Sequence, residues 1–135
     1  MATTGKPVPV RIRTATPYLT VKDAARAIEF YKTAFGATES SKRYIESDGR
    51  VGHAEFTIGD AQIFISDEFP EIGVRGPQSL GGASSSIVLE VEDADAIFNQ
   101  AVAVGATVVR PLKDEPYGRT GKLADPFGHI WFING

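Results

Sequence analysis

The sequence predicts an α+β fold: two βαβββ modules forming a curved, cupped mixed sheet with helices on the outer face. Three observations predict it. The chain repeats itself, because Leu19, Val21, Asp23 and Ala24 recur seventy positions later as Leu89, Val91, Asp93 and Ala94. After a one-residue slip, Ala27, Ile28, Ala34, Gly36, Ala37 and Thr38 recur as Ala96, Ile97, Ala103, Gly105, Ala106 and Thr107. The end of each repeat also matches, with residues 61–66 aligned on residues 129–134. Finally, each repeat holds one stretch of helical spacing among stretches of strict alternation. Duplication brings a pseudo-two-fold axis, so equivalent positions in the two halves face a shared space.

The elements follow in order. Residues 1–10 are polar or proline-bearing and read as a loose arm. Residues 11–21 alternate and are β-branched near their end, which predicts a strand. Asp23 is placed to cap a helix, since its carboxylate can accept backbone N–H groups left without partners. Ala24, Ala27, Ile28, Tyr31 and Phe35 then fall on one helical face, and Gly36 supplies the left-handed stop. Residues 38–47 predict a strand, and Ser47-Asp48-Gly49 a hairpin turn. Residues 51–58 alternate, with His53, Glu55 and Thr57 opposite Ala54, Phe56 and Ile58. Residues 61–66 complete module one, about 11–67. Residues 68–83 carry prolines and glycines and read as a linker. Module two, about 84–135, repeats the order: strand 85–91, helix 94–104 capped by Asp93 and closed by Gly105, then strands 107–111, 120–124 and 129–134. Asp125-Pro126-Phe127-Gly128 forms the turn before the last strand.

Bulk properties narrow the function. A chain of 135 residues is one domain long enough to bury a core. The formal net charge of −3, with basic residues scattered, gives no reason to expect nucleic acid. With no cysteine, zinc–thiolate sites and thiol nucleophiles are excluded. No apolar run approaches the ~20 residues of a membrane helix, and the first residues lack a signal-peptide core. A cytoplasmic protein is expected.

Strand alternation separates two faces. Leu19, Val21, Leu89, Val91, Ile63, Ile65, Trp131 and Ile133 belong under the helices, and Trp131 reads as core. The far face receives Thr16, Tyr18, Thr20, His53, Glu55, Gln62, Phe64 and Ser66 from module one. It receives Ser86, Val88, Glu90, Ile130, Phe132 and Asn134 from module two. That mixture of rings and placed polar groups on a concave sheet describes a small-molecule site.

Pro17-Tyr18-Leu19-Thr20-Val21-Lys22-Asp23, Phe30-Tyr31, Ala34-Phe35-Gly36-Ala37, Gly105-Ala106-Thr107 and Asp125-Pro126-Phe127-Gly128-His129 resemble, in that order, the vicinal oxygen chelate superfamily. This group contains glyoxalase I, bleomycin- and fosfomycin-resistance proteins and extradiol dioxygenases, and the resemblance covers residues 14–134. Gly52-His53-Ala54-Glu55 and Tyr117-Gly118-Arg119-Thr120-Gly121 resemble its glyoxalase/bleomycin-resistance-like subgroup. Metal enzymes of the superfamily place ligands at four symmetric positions, which the resemblance maps to Thr16, Phe64, Ser86 and Phe132. Neutral hydroxyls and phenyl rings are not a cation's ligands. The expectation is therefore no metal and no cofactor, with the bleomycin-resistance type of ligand binding and, by the same resemblance, a homodimer.

Candidate ligand-binding residues are Thr16, Tyr18, Phe64, Ser86, Arg119 and Phe132. Arg119 suits a carboxylate or phosphate, and Arg43 is a further candidate for the same cavity. His53 and Glu55 are the candidate catalytic pair, since a carboxylate beside an imidazole orients it for proton transfer. His129 is expected to tie its own turn together. Two readings follow: a metal-independent binder of an aromatic or amphipathic compound, or a glyoxalase-like lyase or isomerase using His53 and Glu55 as acid and base or as an unorthodox metal site. A third and weaker reading is a domain serving only as an assembly surface.

Overall fold

The computed structural model describes residues 5–135. Its strands and helices run β1 (Tyr18–Val21), α1 (Ala24–Phe35), β2 (Thr38–Glu39), β3 (Tyr44–Ile45), β4 (Val51–Ile58), β5 (Ala61–Asp67), α2 (Pro77–Leu80), β6 (Ser86–Glu90), α3 (Ala94–Ala103), β7 (Thr107–Glu115), β8 (Gly118–Ala124) and β9 (Ile130–Asn134). The α+β class and the two βαβββ modules are as expected. Pairing divides the strands into two mixed sheets, ordered β1-β5-β4-β2 with β3 also on β4, and β6-β9-β8-β7. In each, the first strand runs parallel to the last and the other neighbours are antiparallel.

The duplication is visible in the register. Tyr18 lies opposite Phe64 in module one, and Val88 lies opposite Phe132 in module two. These are equivalent positions of the repeat, so both modules set the same residue of the last strand beside the same residue of the first.

Helix ends form where the side chains allow them. Asp23 accepts the Arg26 N–H at 3.1 Å and Asp93 accepts the Ala96 N–H at 3.1 Å. Gly36 turns at φ 70°, a conformation that disfavours a Cβ. Asp67, at the end of β5, adds a brace: one oxygen accepts the Ala24 N–H and the other the Val51 N–H, each at 2.6 Å.

Three expected elements differ. The strand expected over 11–21 begins at Tyr18, because the register with β5 brings Ala15 opposite Ala61, where β5 starts. Residues further back have no strand to pair with, and 5–15 are exposed. The strand expected over 38–47 is two short pieces on β4, separated at residues 40–43, the second carrying a bulge at Tyr44/Ile45. Strand β7 runs on to Glu115, with irregularities on either side of Arg110. Pro111, which has no N–H to donate, sits in this edge strand.

One hydrophobic core draws on both modules. Tyr31 of α1 is fully buried, its ring 5.2 Å from Phe56 and 5.2 Å from Trp131. Trp131 is core, as read from alternation. Gln100 of α3 donates to the Thr33 and Ala34 carbonyls at the end of α1. Among the described residues no helix is long and apolar enough to cross a membrane.

Candidate ligand-binding site

The concave face of module one gathers Tyr18 from β1, His53 and Glu55 from β4, and Gln62 and Phe64 from β5. The rings of Tyr18, His53 and Phe64 meet pairwise edge-on, with centroids 5.4, 5.6 and 4.8 Å apart. A hydrogen-bond chain runs through them. Tyr18 Oη lies 2.7 Å from His53 Nδ1, and His53 Nε2 lies 2.8 Å from Glu55 Oε2. Gln62 donates its amide to Glu55 Oε1 at 2.9 Å and to Ser40 Oγ at 3.1 Å. A carboxylate can only accept, so the Nε2 proton points at Glu55. In the neutral imidazole Nδ1 then accepts from the Tyr18 hydroxyl. The free lone pairs of Tyr18 Oη remain for a third partner. Partial burial, and next the Glu55 charge, raise the Tyr18 phenol above its usual value of 10.0.

Tyr18 also forms the wall of a cavity of about 460 Å³. Thr20, Glu46, Gly52 and Ser66 line it together with the apolar Phe69, Ile72 and Val74. Phe69, Ile72 and Val74 were read as linker. The missed signal is three large apolar residues within a segment otherwise rich in proline, glycine and charge. They are held there because Phe69 and Val74 pair as an isolated bridge around a single turn at Pro70–Ile72. Gly76 allows the linker to close on β1, since a Cβ there would meet the Thr20 carbonyl oxygen at 2.6 Å. A second cavity, of about 360 Å³, lies at the module junction between Tyr18, Thr20, Pro77, Ser84, Ser85 and His129.

The remaining candidates are dispersed. Thr16 precedes β1 and is half-buried. Ser86 and Phe132 line a separate cavity of about 190 Å³ with Lys122 and Ile130. Arg119 lies elsewhere. Gly121, two residues on and so on the same face of β8, abuts Phe98 of α3. Arg119 donates both to Asp95 of α3 (2.9 and 3.0 Å) and to Asp114 (3.1 Å). Its guanidinium is thereby held above its already high pKa, first by hydrogen bonding to Asp95 and then to Asp114. The structure thus places Arg119 on the helix side. Arg43 is paired with Glu39 at 2.8 Å. The backbone N–H of His129 donates to Asp125 as expected, while its imidazole Nε2 reaches the Thr20 carbonyl of module one at 2.9 Å.

The residues that the resemblance maps to the superfamily's metal positions do not fit a divalent cation by their chemistry. Two are hydroxyls and two are phenyl rings, with Thr16 ahead of β1, Phe64 in one sheet and Ser86 and Phe132 in the other. Among the described residues no group of three His, Cys, Asp or Glu side chains is gathered to hold one elsewhere.

Comparison with known proteins agrees with this fold. A family profile described as the Glyoxalase/Bleomycin resistance protein/Dioxygenase superfamily matches residues 11–133. An uncharacterised protein of Mycobacterium tuberculosis is 44% identical over 121 residues, covering 87% of this chain and 71% of that protein. The crystal structure of an Arabidopsis thaliana gene product superposes with a TM-score of 0.75 at 26% identity, covering 93% of this chain and 100% of the other. The bleomycin-binding protein of Streptomyces verticillus, solved with copper(II)-bleomycin, shares the fold with a TM-score of 0.63 at 20% identity, covering 94% and 98%.

Proposed function

The chain belongs to the Glyoxalase/Bleomycin resistance protein/Dioxygenase superfamily, and from that premise we propose that it is a metal-independent small-molecule binding protein of the bleomycin-resistance type. The observation that carries this reading is the cavity of about 460 Å³ walled by Tyr18, Phe69, Ile72 and Val74 beside the Tyr18–His53–Phe64 ring cluster. Its volume lies in the range of small-molecule pockets. Apolar walls favour an aromatic or amphipathic compound. Tyr18 Oη, fixed by His53, presents an acceptor to it. The hydroxyl-and-phenyl set at the superfamily's metal positions supports binding without a cation. A homodimer, implied by the family, and a cytoplasmic location complete the proposal; sedimentation and cell fractionation test them.

The test is a thermal-shift screen with bleomycin and a panel of flat aromatic compounds. A compound at a hundred times its Kd stabilises by about 2.7 kcal/mol, roughly 10 °C for a domain this size. Phe69→Ala is expected to remove most of the shift while the free protein stays folded. One bound divalent ion per chain, lost in His53→Ala, would overturn the proposal.

The Tyr18–His53–Glu55 chain favours a second reading, a lyase or isomerase in which these groups move a proton at a bound substrate. His53→Gln would then abolish turnover and leave binding intact. If no turnover is found on any compound that binds, this second reading fails and the binding protein stands.

A further inference from the structure

The two modules carry equivalent cross-strand rows of opposite charge. In module one the row is Tyr18, Phe64 and Glu55. In module two it is Val88, Phe132, Lys122 and Arg110. The ring recurs at the same position, but the strand beside it supplies a carboxylate in one module and an ammonium in the other, followed by a guanidinium. We propose that the concave face of module two is an anion-binding half-site for a compact apolar molecule bearing a carboxylate or phosphate. It is distinct from the module-one cavity and stands whether or not that cavity binds.

Three features carry the inference. Lys122 Nζ and Arg110 Cζ lie 4.9 and 5.6 Å from the Phe132 ring centroid, so both cations neighbour the same ring. Among the described residues neither has a carboxylate within 4.0 Å, whereas Arg43, Arg50 and Arg119 each hold one. Arg110 and Lys122 also stand directly opposite each other in register. Like charges so placed destabilise a sheet. Phe132 softens that cost through its ring face, and an oxyanion between the two cations would reverse it. The adjoining cavity of about 190 Å³, lined by Phe132, Ile130, Lys122 and Ser84–Ser86, offers apolar surface and hydroxyl donors together. A dry cavity of ~150 Å³ accommodates benzene, so one ring-sized body fits.

The experiment is a titration of the whole chain with benzoate, phenyl phosphate and neutral benzamide, followed by NMR. Benzoate or phenyl phosphate is expected to saturate shifts at Ser86, Lys122 and Phe132, with affinity falling as salt rises; the tighter of the two identifies the preferred head group. Benzamide is expected not to bind. Arg110→Met/Lys122→Met should weaken binding at least tenfold without lowering the thermal midpoint of the free protein, since both side chains reach solvent. Phe69→Ala, which tests the other cavity, should leave these shifts unchanged. Absence of binding by both anions, shifts centred on Tyr18 and Phe69, or unchanged affinity in the double variant would overturn the proposal.

Discussion

Asp125 accepts four hydrogen bonds while only 5% exposed: from Tyr31 Oη at 2.5 Å, Trp131 Nε1 at 2.8 Å, and the backbone N–H groups of Phe127 at 2.8 Å and His129 at 3.0 Å. The motif Asp-Pro-Phe-Gly-His announces a turn, and the two backbone bonds make that turn. The bond to Tyr31 was not legible, because Tyr31 lies ninety-four positions away and only the packed modules bring it near. Removing the carboxylate strands four donors, each worth about 1–3 kcal/mol when buried without a partner. Asp125→Ala is therefore expected to lose about 3–5 kcal/mol in urea unfolding. Asp125→Asn should lose about half as much, since its amide oxygen still accepts from the Phe127 and His129 N–H groups while its amide nitrogen cannot accept from Tyr31 and Trp131. A loss under 1 kcal/mol in the asparagine variant would show that the carboxylate is not the acceptor.

At the scale of elements, local chemistry was legible and partnership was not. Asp23 and Asp93 act through carboxylates on their own neighbours and Gly36 through a left-handed backbone, so α1 and α3 came out within a residue or two, whereas α2 fell in the expected linker. The arm before Tyr18 alternates like a strand, yet a strand needs a second strand, and β5, parallel to β1, begins too late to provide one. Likewise the module-one row was read correctly for face, with His53, Glu55 and Phe64 together, because period two carries that information. Lys122 and Arg110 were missed because their approach to Phe132 depends on the pairing of β7, β8 and β9, which alternation within a single strand does not report. Gly121 shows how closely α3 approaches its sheet: a Cβ there would lie 2.7 Å from the Phe98 ring and 3.2 Å from the Arg110 carbonyl oxygen. The ring can yield a little, the backbone on the other side cannot. Gly121→Ala is expected to cost about 1–3 kcal/mol, read as a lower thermal midpoint, and adding Phe98→Leu should recover part of it.

At the scale of the whole molecule, the two modules are joined through buried groups rather than through strands. Tyr31 of α1 stacks on Phe56 of its own module and reaches Trp131 and Asp125 of the other. With one core spanning both, unfolding by urea should be a single transition followed alike by tryptophan fluorescence and circular dichroism. The same junction makes stability depend on alkali. Burial first, then the Asp125 charge and hydrogen bond, hold the Tyr31 phenol well above its usual value of 10.0 in the folded chain. The unfolded phenol titrates near 10, so the folded state keeps its proton more tightly. Stability is then full below pH 10 and declines as pH rises from there toward the folded value. Tyr18, raised more modestly, contributes in the same direction. In Tyr31→Phe the protein should be less stable at pH 8, because Asp125 loses a donor, yet its stability should fall less steeply between pH 10 and 12. Parallel pH profiles for the two proteins would show that the phenol does not stay protonated within the fold, and would remove the electrostatic part of the junction while leaving its packing in place.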